Sequence, residues 1–179
     1  MAVTLQEISG WLDNIGIKHK LDEEKIFFGA GDEENTQGYF IRAQENGDIF
    51  DAQMQILDEN RDFVSLEGQE HAAKVLEHIL YLNYTTKFGT WEYDPRDGDI
   101  RLAVEIPLED ATMTEKQFNR ICGLLIKEGT NAAKDIKQIL KTGEIPKKDD
   151  ETDVVAMLEA LLAEAKAKAA EAATAEDSI

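Results

Sequence analysis

The residues best suited to chemistry in this chain are an acidic group (Asp94, Asp97, Asp99), three histidines, one cysteine and the serines Ser9 and Ser65. An EF-hand calcium loop needs oxygen ligands at its first, third and fifth positions and glycine at the sixth. Counted from Asp94, the third and fifth positions are Arg96 and Gly98, so that grammar fails. Weak cation binding and a solvated turn are the readings left for this cluster. Paired carboxylates of the glycosidase kind also need a cleft and an acid with a raised pKa, which a hairpin tip does not obviously offer. His71 and His78 lie seven positions apart on one helical pattern, about 10 Å along the axis. That is too far for both imidazoles to bind one metal, and they read as surface residues. Cys122 is the single cysteine, sits in an apolar helical stripe, and reads as a buried thiol rather than a nucleophile. Neither serine has the strand-turn-helix context of a nucleophile elbow. Gly29-Ala30-Gly31 is followed by Asp32, Glu33 and Glu34, where a phosphate loop would want donors and positive charge, so it reads as a plain loop. No cofactor is expected.

The elements that must position these groups follow from periodicity. Thr4-Leu5-Gln6-Glu7 has the form of a capping box, and Leu5, Ile8, Leu12 and Ile15 continue at helical spacing up to Gly16. Ile26-Phe27-Phe28 is a brief strand. Residues 37–57 form a hairpin around Asn46-Gly47, a pair suited to a type I′ turn. After it Phe50, Ala52, Met54 and Ile56 alternate with Asp51, Gln53 and Gln55, which places one set in the core and the other in water. A helix runs from about Glu67 to Leu82. A second hairpin follows, with Trp91 and Tyr93 on one side of its first strand and Ile100, Leu102, Val104 and Ile106 on one face of its second. The intervening Asp94-Pro95-Arg96-Asp97-Gly98-Asp99 is dense in turn-forming residues. Thr112 with Glu115, or Thr114 with Gln117, caps the next helix, whose stripe is Phe118, Ile121, Cys122 and Leu125. Helical spacing resumes beyond Gly129, and glycine there can break the helix or be carried at about 1 kcal/mol relative to alanine.

The 179 residues carry 37 acidic against 19 basic side chains, a net charge of −18. Such a surface repels nucleic acid and anionic membranes, so neither is an expected partner. No apolar run reaches the ~18 residues of a membrane span, no basic-then-apolar leader opens the sequence, and a cytoplasmic setting is expected.

These elements give an α+β domain over residues 1–142, with a five-stranded antiparallel sheet in α-β-β-β-α-β-β-α order. A polar linker occupies 143–151, and an acidic, alanine-rich C-terminal helix occupies 152–179. Leu82-Asn83 closing a helix, Gly89, Asp94 before Asp97-Gly98, the Ile100/Leu102/Val104 strand, Ile106-Pro107-Leu108 and a capped helix from Thr114 together resemble the YbjN-like family. That family is related in fold to type III secretion chaperones, and the resemblance spans residues 4–142. It implies a dimeric polypeptide-binding or regulatory module with no catalytic residues to carry over.

The expected function is therefore a non-catalytic interaction module that binds a polypeptide and forms a homodimer. The alternative is an enzyme whose pocket is assembled from distant acidic residues. The expected partner-binding residues are Trp91 and Tyr93 on the hairpin and Val155, Leu158, Leu161 and Leu162 on the C-terminal helix. For Trp91 and Tyr93, core packing is the competing assignment. The C-terminal stripe can equally cap its own domain or capture a partner.

Overall fold

The computed structural model describes residues 3–32, 35–86 and 88–146. The proposed helix at 152–179, with Val155, Leu158, Leu161 and Leu162, lies outside the described residues, as does most of the linker. Contacts divide the chain into one unit over 1–145 and another over 146–179; the first is described here.

Helix α1 spans Leu5–Asn14. Four strands follow: β1 (His19–Leu21), β2 (Ile26–Ala30), β3 (Gln37–Gln44) and β4 (Ile49–Gln55). Helix α2 (Ala72–Thr85), β5 (Thr90–Tyr93), β6 (Ile100–Pro107) and α3 (Glu115–Thr142) complete the unit. All pairings are antiparallel, in the order β1-β2-β3-β4-β6-β5. The class is α+β, and the sheet has six strands where the sequence suggests five. The additional strand, His19-Lys20-Leu21, is only three residues long and carries no apolar alternation. Its pairing with β2 depends on the Asp22 carboxylate, which accepts hydrogen bonds from the Glu24 and Lys25 backbone N–H groups and shapes the turn. Gly29-Ala30 is the end of β2 rather than loop, and α2 begins five residues later than its apolar pattern suggests.

Both expected capping boxes form. Thr4 Oγ1 accepts from the Glu7 N–H while Glu7 Oε2 accepts from the Thr4 N–H, and Thr114 and Gln117 repeat the arrangement at α3. The β3–β4 connection is not the two-residue type I′ turn expected of Asn-Gly. Glu45, Asn46 and Gly47 all hold positive φ, and β3 and β4 close at the Gln44–Ile49 pair. The segment at Val3 crosses this connection so closely that a Cβ on Gly47 would collide with the Val3 carbonyl. Gly129 is carried inside one continuous α3. A side chain there would place its Cβ 2.6 Å from Met54 Cε, so the glycine lets helix and sheet meet.

The three described helices share one face of the sheet with the core. Phe28 stacks on Tyr39 with ring centroids 5.1 Å apart, and Phe118 meets Phe50 at 6.2 Å and Trp11 at 5.5 Å. Ile8, Leu12, Val75, Ala133, Ile136 and Ile139 complete it, all fully buried. Cys122 is buried there as expected, and burial pushes its thiol up to about 11. His78, expected at the surface, is instead 3% exposed, with Nε2 3.4 Å from Asp135 Oδ2 on α3. Among the described residues no helix is long and apolar enough to cross a membrane.

Candidate functional site

The residues singled out in the sequence do not converge on one place. At the hairpin tip the three aspartates serve the turn. Asp94 accepts from the Arg96 backbone N–H at 2.9 Å and from Arg96 Nε at 3.0 Å, which holds its carboxyl down at about 2. Asp97 Oδ1 accepts from the Asp99 N–H, and Asp99 Oδ1 accepts from Gln55 Nε2. Burial pushes the Asp99 carboxyl above its ordinary value, with the Gln55 bond opposing. The three carboxylates thus point to different donors. Among the described residues no group of three or more His, Cys, Asp and Glu is placed to hold a metal.

Ser9 and His19, unrelated in the sequence pattern, do meet. Ser9 Oγ lies 2.7 Å from His19 Nε2, and His19 Nδ1 lies 2.9 Å from the Ile17 carbonyl. A carbonyl can only accept, so Nδ1 carries a proton, and in the neutral ring Nε2 is then the acceptor for the serine hydroxyl. The nearest carboxylate, Asp13, stands 3.9 Å from Nδ1, beyond hydrogen-bonding distance. Ser9 is mid-helix, and none of the clefts described below reaches it. The pair fastens the edge strand β1 to α1.

Trp91 and Tyr93 share a face, as expected of alternate strand residues, but have different surroundings. Trp91 is 6% exposed and belongs to the core, whereas Tyr93 is 40% exposed. β5 is an edge strand, and the Asn83 side chain covers its outward backbone at Trp91. Asn83 Nδ2 donates to the Trp91 carbonyl at 3.0 Å and Asn83 Oδ1 accepts from the Trp91 N–H at 2.7 Å. One side-chain amide thereby replaces a neighbouring strand.

Two sets of exposed apolar residues stand out instead. On the outer face of α2, Leu80, Tyr81 and Tyr84 are 68%, 57% and 89% exposed, while Val75, Ile79 and Leu82 fill the core from the inner face. On the other side of the molecule lies the sheet face opposite the core. Phe27, Phe40 and Phe63 form a ladder there with centroid separations of 5.1 and 6.0 Å, and Lys25 Nζ sits 5.6 Å from the centre of the Phe40 ring. Phe27 and Phe63 are half exposed. Beyond the ladder this face is mostly polar, yet Asp51 is fully buried and Gln53 nearly so, contrary to the expectation that both face water. Arg42, Gln44 and Gln53 reach over Asp51 and all donate to its Oδ2, at 3.1, 2.9 and 3.2 Å. Oδ1 of the same carboxylate is buried without a partner.

Phe63 also lines a cleft of about 820 Å³ between the 58–69 loop and the end of α3. Val64 and Leu140 are apolar walls, Asp58, Glu59 and Glu67 bring carboxylates, and Lys137 and Lys141 bring ammonium groups. Lys137 Nζ donates to Asn35 Oδ1, whose partner Gln37 holds the Leu57 N–H, so a buried polar relay supports the cleft. Burial pulls the Lys137 pKa below its ordinary value, opposed by Asp58, Asp32 and Glu59. A smaller apolar groove of about 250 Å³ lies between Phe88, Ile106, Met113 and Ile121. Sequence reasoning missed the ladder because its three rings come from separate segments. Tyr81 and Tyr84 were within reach of it, since they fall outside the helical apolar stripe Ala72, Val75, Leu76, Ile79 and Leu80; Leu80 belongs to that stripe by spacing and is exposed nonetheless.

No family model matches the chain, and neither does any curated protein. One of the solved structures that the chain resembles is the crystal structure of YbjN from E. coli, described as a proposed transcription regulator. The TM-score is 0.53 at 9% identity, over 74% of this chain and 90% of that one. The fold is YbjN-like. At that identity the likeness is one of architecture.

Proposed function

We propose that the chain is a non-catalytic protein-interaction module, chaperone-like or regulatory, that binds a polypeptide and works as a homodimer. The observation that carries this reading is the outer face of α2. Three large side chains, Leu80, Tyr81 and Tyr84, stand in solvent within little more than one helical turn. Tyrosine in such a position is a low-entropy anchor, the residue type that dominates binding energy at interfaces. A chain of net charge −18 meets its own copy most readily where local charge is already balanced. Beside this stripe Lys74 pairs with Glu77 at 3.0 Å, and on β5 Glu92 pairs with Arg101 at 2.7 Å. Tyr93 is the exposed aromatic on that strand, so it replaces Trp91 as the hairpin's available contact. The fold shared with a proposed regulator is in keeping with such a role.

Light scattering tests the dimer. The expected mass is twice the 20.1 kDa of one chain, and Tyr84→Asp with Leu80→Asp should return it to one. A wild-type mass of one chain at every concentration sinks the homodimer. For polypeptide capture, a pull-down with Leu158→Asp and Tyr93→Ala as comparison variants should lose a stoichiometric protein partner. Recovery of a stoichiometric small-molecule substrate or metal with no protein partner would instead favour the alternative, an enzyme whose pocket is assembled from distant acidic residues.

A further inference from the structure

We infer that the Phe27–Phe40–Phe63 ladder and the cleft beside it form a docking site for a cationic, apolar polypeptide segment, one in which arginine or lysine alternates with large apolar residues. The inference rests on the polypeptide-binding reading but concerns a different surface from the α2 stripe. Three observations select this occupant. The rings follow one another along one sheet face, tilted by 45° and 57°, with Phe63 54% exposed and Phe27 38% exposed, so apolar side chains of a guest have a continuous bed. A cation already rests on that bed: Lys25 Nζ over the Phe40 ring shows that the ladder accommodates an ammonium at cation–π distance.

The third observation is the charge along the rim. Among the described residues neither Glu59 nor Glu67 forms an ion pair, and Asp58 spends Oδ1 on the backbone N–H groups of Asn60 and Asp62. A guest cation can therefore engage Glu59 and Glu67 without breaking an existing pair. Guests of the opposite sign meet both these acids and the field of a chain with 37 acidic residues. Lys137 and Lys141 in the cleft and Lys25 on the ladder oppose a cation, which gives the inference a sign that can be checked.

The probes are three synthetic peptides of one length, leucine alternating with arginine, with the neutral isostere citrulline, or with glutamate. Each is titrated by fluorescence anisotropy against the full chain. The arginine peptide should bind tightest, and Phe63→Ser, a surface change, should weaken it about tenfold. Glu59→Gln combined with Glu67→Gln should weaken the arginine peptide several-fold while leaving the citrulline peptide unchanged, the coupling expected of a direct charge contact. Lys141→Gln should tighten the arginine peptide. Tyr84→Ser, on α2, should change nothing. Preference for the glutamate peptide, or equal loss of the arginine and citrulline peptides in the double variant, overturns the cationic assignment. Binding that ignores Phe63 but responds to Tyr84→Ser overturns the site while leaving polypeptide binding intact. Failure of all three peptides to bind overturns this inference; the polypeptide reading itself falls only if the pull-down also yields no partner.

Discussion

The two faces of the sheet are made by the same strands in the same register and have opposite characters. Across one face run Ile26, Ile41, Ala52 and Val104, paired in turn and closed off by the helices. Across the other run Phe27, Phe40, Gln53 and Ala103, with Arg42, Asp51 and Glu105 in the next row. Strand alternation sorts residues onto faces but does not decide what becomes of the second one. Here it is divided: aromatic and accessible toward β2, polar and buried around Asp51. The helical face therefore carries the core, and the aromatic part of the other face is left accessible.

The sharpest way to break that contrast is to delete one ring from each face. Phe118→Ala, in the packed face, should cost about 3–5 kcal/mol. Phe63→Ala should stay within about 0.5 kcal/mol, as surface changes do. Denaturant unfolding of the two variants under one set of conditions decides the matter, and comparable losses would mean that both faces hold the fold. The polar centre should lie between these extremes. Asp51→Ala removes the shared acceptor of Arg42, Gln44 and Gln53 and should destabilise by about 1–3 kcal/mol. A neutral or stabilising result would show that the buried, unpartnered Oδ1 costs as much as Oδ2 contributes.

The smallest effect concerns pH and the hairpin tip. Hydrogen bonds from Arg96 lower the Asp94 carboxyl from 3.8 to about 2. A lowered folded-state value makes its contribution fully present above the unfolded value near 3.8, and that contribution is lost as pH falls through about 2. Carboxyl-carbon NMR should show Asp94 titrating near 2 and returning toward 3.8 in Arg96→Ala. An unchanged midpoint in that variant would assign the shift to the turn backbone alone.

Much of the helical face was legible in the sequence. Ile100, Leu102, Val104 and Ile106 alternate without interruption, and Thr4/Glu7 and Thr114/Gln117 mark helix starts by chemistry that is local to four residues. What escaped depends on partners distant in the chain. His19-Lys20-Leu21 becomes a strand only because β2 lies beside it. His78 looks like a surface histidine until Asp135 of α3 is placed near it. Gly129 could not be read either way without Met54, and Phe27, Phe40 and Phe63 are unremarkable until folding brings them together. For Trp91 the competing assignment, core packing, is the one the structure takes, while Tyr93 two residues on stays 40% exposed.

The Asn83 amide has a consequence for assembly. In the language of polymer growth, a sheet with two open edges is a bifunctional monomer and can add copies without limit. Asn83 occupies the hydrogen-bonding groups of Trp91 on the β5 edge, so this end is a terminated one. The opposite edge is the three-residue β1, too short for a long ladder and carrying Lys20 at its centre. Were copies to join edge to edge, only the β1 end would be open to growth, and joining would stop at a pair rather than run on to a fibre.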